Sequence, residues 1–99
     1  MLMLLFRSSL KERIHELLAQ CGVPAYTEVP ETIGRGETGP AEGVFFDPGV
    51  NSVILVAADD ERTELVERAL KAWCDGVMQR PGGQRPSVRC FVWPCRQMI

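Results

Sequence analysis

The chain has no apolar run approaching the roughly 20 residues that a bilayer-crossing helix needs. Its N-terminal stretch, MLMLLF, holds six residues before Arg7 interrupts it. That stretch also lacks the basic leader of a secretory signal, so the expected compartment is the cytoplasm and no membrane insertion is expected. An excess of basic charge is missing too. Eleven Lys and Arg stand against 13 Asp and Glu, a net charge of −2. Nucleic-acid binders carry a basic footprint, so that class of partner is not expected. No CxxC pair occurs among the four cysteines, Cys21, Cys74, Cys90 and Cys95, and His15 is the single histidine. The spacing of Cys90 and Cys95 matches none of the usual structural zinc patterns. Without a secretion signal a disulfide framework is not expected either, and the thiols read as small buried or half-buried apolar groups. No carboxylate pair with a role, no Ser/His/Asp arrangement and no metal cluster is present, so no catalytic or metal-ligating residue is assigned and the chain is expected not to be an enzyme.

What is present is a foldable composition. Hydrophobic residues make up 45% of 99 positions, enough for one globular domain over residues 1–99. Residues 1–6 form a continuous apolar run, consistent with a strand buried on both faces. Ser9 followed by Glu12 has the form of a capping box. Leu10, Ile14, Leu17, Leu18 and Cys21 then recur at helical spacing, and Gly22 and Pro24 stop the run, which predicts an amphipathic helix over 9–21. Residues 25–29 (AYTEV) alternate as a second strand. Residues 51–58 (NSVILVAA) are rich in β-branched and aliphatic side chains and predict a third. Asp59 and Asp60 offer helix caps, and Leu65, Val66, Ala69, Leu70 and Trp73 form the next apolar stripe, ending at Asp75-Gly76. Residues 87–93 (SVRCFVW) predict a last strand.

The order is β-α-β-β-α-β. Two right-handed strand–helix–strand units in one sheet put both helices on the same face. The expected class is therefore α+β, a ferredoxin-like fold with a four-stranded antiparallel sheet and two helices on one face. The strands are apolar on both sides, so the opposite face is left without cover, which predicts an oligomer.

Two polar, glycine-containing segments interrupt this regular plan. Residues 30–50 (PETIGRGETGPAEGVFFDPGV) make a stretch longer than ordinary connections, and such loops are usually functional or disordered. Gly34-Arg35-Gly36-Glu37-Thr38-Gly39 matches GxGxxG in letters, but Pro40 and a non-helical stretch follow, where a dinucleotide fingerprint needs a helix N-terminus. The remaining readings are a glycine-turned hairpin loop and a loop whose N–H groups and Arg35 cradle an anion. The second segment, residues 79–86 (QRPGGQRP), puts Arg80, Gly82, Gly83 and Arg85 ahead of Arg89. Arginine suits bidentate recognition of phosphate or carboxylate. A solvated turn is the plainer reading. His15, flanked by Glu12 and Glu16, is expected at the surface, Trp73 in the core, and Trp93 at a subunit interface or over a pocket.

This layout resembles the P-II signalling superfamily over nearly the whole chain. That family has a T-loop between strands two and three and a B-loop between helix two and strand four. Gly34-Arg35-Gly36 is similar to its Gly-x-Gly T-loop entry, with the closing Gly39 one residue early. Gly82-Gly83-Gln84-Arg85 is similar to its B-loop, with Arg89 where a lysine usually meets phosphate. The T-loop is short and lacks the modified tyrosine. The chain also stops at Ile99 without the family's C-terminal arginines, as in the compact members.

The resemblance implies a homotrimer with its open sheet faces packed at the centre. It also implies a small anionic effector, such as an adenine nucleotide, in the intersubunit cleft, with no cofactor required. Residues 30–50 would then signal to a partner protein. The implied ligand set is Gly34, Arg35, Gly36, Thr38, Gly39, Gly82, Gly83, Arg85 and Arg89. Two other classes share the plan: a CutA-like metal-responsive module using the cysteines, and an ACT-like amino-acid-binding domain.

Overall fold

A computed structural model describes residues 1–32 and 51–99. Four strands, β1 (Leu2–Arg7), β2 (Thr27–Thr32), β3 (Asn51–Val56) and β4 (Val88–Val92), and two helices, α1 (Lys11–Gln20) and α2 (Asp60–Met78), follow the expected order. The sheet runs β2-β3-β1-β4 and every pairing is antiparallel. The apolar β1 is central, as a run rich in leucine on both faces requires.

Alternation along β1 sorts its side chains. Leu2, Leu4 and Phe6 are buried, whereas Met3, Leu5 and Arg7 are partly exposed. The buried set joins Ile54 and Val56 of β3, Val88 of β4, Ile14, Leu17 and Leu18 of α1, and Val66 and Leu70 of α2 in one core. Both helices therefore cover the same face, as the ferredoxin-like plan demands. The Arg13 guanidinium of α1 also lies 5.9 Å from the Trp73 ring centre of α2. The other face carries Met3 and Leu5 of β1, opposite Leu55 and Val53. Val29 at one edge and Phe91 at the other are 45% and 46% exposed.

Several local details differ from the sequence expectation, each for a physical reason. The predicted helix over 9–21 begins with a 3-10 turn, Ser8–Leu10, and its cap residue Leu10 has no side-chain bond. The Ser9 capping box does not form. It is Ser8 whose hydroxyl is engaged, 2.8 Å from the Ser52 hydroxyl. The second strand lies two residues later than expected and runs through Pro30. β2 is an edge strand, where a residue with no N–H to donate is tolerated. A register shift between Val29 and Thr32 and Glu31 at φ 54° mark a bulge there. The second helix passes through Gly76, which has open space around it, and ends at Met78. An exposed helical glycine costs only about 1 kcal/mol. Leu65, expected in the stripe, is 41% exposed, and Thr63 takes the buried position.

The C-terminus of α1 follows its expected stop. Gly22, at φ +73°, donates to the Ala19 carbonyl, and Val23 donates to that of Leu18, the paired bonds of a Schellman motif. Arg62 of α2 donates to the carbonyls of Cys21 and Gly22, placing a cation at the negative end of the α1 dipole. The start of α2 is capped by Asp59, whose carboxylate accepts from the Arg62 N–H at 2.7 Å. On the β2 side, Glu28 accepts from His15 at 2.8 Å and sits 3.5 Å from the Lys11 ammonium. His15 is thus half-buried and paired across to β2, not a purely solvated surface group.

Candidate ligand groove between the second helix and the sheet edge

Because β4 ends the sheet, α2 overhangs an unpaired strand edge. A cavity of about 570 Å³ runs between them, lined by Glu67, Leu70, Lys71, Cys74 and Asp75 of α2, Arg85, and Val88 to Val92 of β4. The helical members recur at i, i+4 and i+7, so one stripe of α2 forms the wall. Lys71, Arg85 and Arg89 are its cations, and Glu67 and Asp75 its anions. Leu70 and Val88 give it an apolar floor continuous with the core. An elongated polar molecule with an anionic end and an apolar or aromatic body suits such a lining.

The connection into this groove is held by its glycines. Gly82 has φ +71°, the left-handed region that favours glycine. At Gly83 a Cβ would clash with the Val77 carbonyl oxygen. The N–H of Gly83 is already donated to the Arg80 carbonyl at 2.8 Å. These residues therefore fold the chain back onto the end of α2 and deliver Arg85 to the groove. The Gly83 amide is committed within the turn.

The two thiols in the wall are poorly disposed to ionise. Burial pushes Cys90 up to about 11, with Glu67 adding to the rise and Lys71 opposing it. Cys74 is raised by burial and by Asp75, against Arg85. Thiolate is the metal-binding and nucleophilic form. Among the described residues no group of three or more His, Cys, Asp or Glu is placed to hold a metal ion. All four cysteines are unbridged, and Cys95 is exposed. No helix among the described residues is long and apolar enough to cross a membrane.

Of the ligand set expected from the sequence, Arg85 and Arg89 both line the groove. Gly82 and Gly83 lie in the turn that leads to it. Gly34, Arg35, Gly36, Thr38 and Gly39 lie outside the described residues. Lys71, Glu67 and Cys74 escaped the sequence reading. Their signal was a second α2 stripe adjoining the apolar one, visible only once β4 is known to end the sheet. Register also separates two arginines that sequence had grouped. Arg89 pairs with Leu5 and so meets the groove from the strand edge on the uncovered side, while Arg85 reaches it from the loop. Trp93, 39% exposed, borders a second cavity of about 390 Å³ with Met1, Asp60 and Thr63.

The architecture defines a ferredoxin-like α+β protein with a ligand-sized groove at its sheet edge. Among solved structures it has the fold of PII-like proteins. It is similar to CPII, a nitrogen regulatory PII-like protein from Thiomonas intermedia K12, bound to ADP, AMP and bicarbonate, at 23% identity and a TM-score of 0.64; the match covers 91% of this chain and 78% of that one. CPII bound to ADP, AMP and acetate matches at 20% identity and a TM-score of 0.66, over 91% and 78% of the two chains. A candidate PII-like signalling protein from Thermus thermophilus matches at 19% identity and a TM-score of 0.53, over 91% and 77%. No family model and no curated protein matches the sequence.

Proposed function

We propose that this chain is a PII-like regulatory protein that binds a small anionic metabolite, an adenine nucleotide, in the groove between α2 and β4. The observation that carries this reading is the groove, with Lys71, Arg85 and Arg89 in its lining, on the fold of a protein whose structures hold ADP, AMP and bicarbonate. Arg85 is the phosphate ligand, because a guanidinium fork matches two phosphate oxygens at once. Glu67 and Asp75 accept from amino or hydroxyl groups of the same molecule. Gly82 and Gly83 set the turn, and Gly34, Arg35, Gly36, Thr38 and Gly39 complete the contacts.

In this reading three copies associate through their uncovered sheet faces, and each groove becomes a cleft between subunits. Residues 30–50 report occupancy to a partner protein, a ligand-biased switch. The protein acts in the cytoplasm, as a regulator and not a catalyst, with no cofactor of its own and no nucleic-acid partner. The likeness to PII-like structures does not favour the metal-responsive or amino-acid-binding alternatives. The raised thiols of Cys74 and Cys90 weigh against soft-metal ligation as well.

Isothermal titration calorimetry with ADP and AMP on the wild type and Arg85→Ala tests the reading. Saturable binding by the wild type is expected, with a loss of about tenfold or more in the variant, since hydrogen bonds to charged groups contribute about 1.5–3 kcal/mol. A wild type that binds neither nucleotide sinks it.

A further inference from the structure

We propose that the cavity at the start of α2 is a site for a primary ammonium group on a short apolar chain, separate from the nucleotide groove. The cavity, of about 390 Å³, lies where β1 and α2 begin and β4 ends. One wall is fixed by backbone. The Trp93 N–H donates to the Met1 carbonyl at 3.0 Å, and the Met1 nitrogen donates back to the Trp93 carbonyl at 2.9 Å. Trp93 is thereby pinned beside the first strand. The helix contributes Asp60, its first residue, and Thr63, three positions on and so on the same face. This cavity and the α2–β4 groove share only Val92 in their linings, and they differ in sign. The groove sets Lys71, Arg85 and Arg89 against Glu67 and Asp75. Here Asp60 is the only charged side chain.

Two polar groups in this lining are without partners. Thr63 is 7% exposed. Its N–H goes to the Asp59 carbonyl at 2.9 Å, but no side-chain hydrogen bond among the described residues uses its hydroxyl. The Asp60 carboxylate is in no hydrogen bond or ion pair among them either. Buried hydroxyls in folded proteins are ordinarily satisfied. With Asp59 as cap and Asp60 and Glu61 in the first turn, the helix start repels an anion and draws a cation. A carboxylate and a hydroxyl oxygen both accept, so the occupant must donate. A primary ammonium carries three N–H donors and can serve both at once, whereas a quaternary ammonium has none to offer. A bare metal ion is not matched, since among the described residues no group of three or more His, Cys, Asp or Glu is placed to hold one. Val92 and Trp93, 48% and 39% exposed, supply apolar surface for the alkyl body, with Pro94 beside them. A lysine side chain of a second copy carries the same ammonium as a free amine, and the experiment separates the two.

The test titrates butylammonium chloride into the full chain and follows the indole N–H resonance of Trp93 by nuclear magnetic resonance, at constant ionic strength set with sodium chloride. Trp93→Phe identifies that resonance against the one from Trp73. The wild type is expected to shift saturably. Tetramethylammonium chloride, which has no N–H, should bind about tenfold more weakly or worse. Asp60→Asn should lose about tenfold in butylammonium affinity and Thr63→Val about threefold, the difference between a charged and a neutral acceptor. Thr63→Val removes a hydroxyl without a partner at nearly constant shape, so it should melt no lower than the wild type. That outcome guards against a variant that merely fails to fold. No saturable shift in the wild type, equal binding of the two cations, or an unchanged Asp60→Asn overturns the site. So does a Thr63→Val that melts well below the wild type, which would give the hydroxyl a partner inside the fold. Sedimentation in which butylammonium dissociates an oligomer would make the cavity a subunit contact, and overturns it as a site for a free amine.

Discussion

Leu4 and Leu5 are adjacent in β1, yet they belong to different surroundings. Leu4 is fully buried beneath both helices, and Leu5 looks out from the uncovered face between Val53 and Arg89. The covered face is a closed apolar core whose worth can be measured in a single chain. The uncovered face mixes apolar side chains with two guanidiniums, and its worth depends on what comes to lie against it. The buried core lies on one side of the sheet, and the groove proposed to bind ligand lies at its edge.

The largest break in that comparison comes from the covered face. Leu4→Ala should lower unfolding free energy by about 2–5 kcal/mol in urea denaturation, since it leaves a cavity in a closed core. Leu5→Ala, on dilute protein, should cost under about 1 kcal/mol, and an equal loss at the two positions would show that both faces are packed. Next in size is Arg62→Ala. It removes the cation that donates to the Cys21 and Gly22 carbonyls and should cost about 1.5–3 kcal/mol, with Arg62→Lys recovering part.

Smaller again is the alkaline response. The thiol of Cys90 lies at about 11 in the folded chain, against an ordinary 9.0. The folded state therefore holds a proton that the unfolded state gives up. Stability from this group is whole below about pH 9 and falls as pH rises from there toward 11. Stability curves across that window should show the decline in the wild type and a shallower one in Cys90→Ala. The smallest effect is kinetic. Ellman's reagent at neutral pH should modify the exposed Cys95 first and Cys90 last, and the reverse order would contradict the burial that sets the Cys90 thiol.

The element order and the covered core were readable because period carried them. Ile14, Leu17 and Leu18 recur on one helical face, and MLMLLF and NSVILV announce central strands. What the sequence concealed was mostly set by neighbours. The place of Pro30 inside β2 is permitted only because β2 is an edge. Ser8 rather than Ser9 is engaged because Ser52 stands across the sheet. Thr63 rather than Leu65 faces the core because the buried stripe of α2 runs through Thr63, Val66 and Leu70, three and four residues apart. At the groove, Arg85 was legible from its glycine-rich setting. Lys71 and Glu67 were not, since a charged helical stripe looks solvated until the strand beneath it is known to be the last. Arg89 could have been assigned to the uncovered face by alternation with Val88 and Cys90.

The two adjacent glycines of the α2–β4 turn carry unequal burdens, and this bears on how groove-bearing chains could be found. Gly82 has open space around it and a backbone angle that asparagine also adopts, so Gly82→Asn should be nearly silent. Gly83 sits against the Val77 carbonyl, with no room for even a methyl group. A search pattern for this turn should thus hold the second glycine invariant, relax the first, and expect the arginine two residues beyond the invariant one. The steric demand of one carbonyl oxygen becomes, in this way, a signature that can be sought in sequences too distant to align.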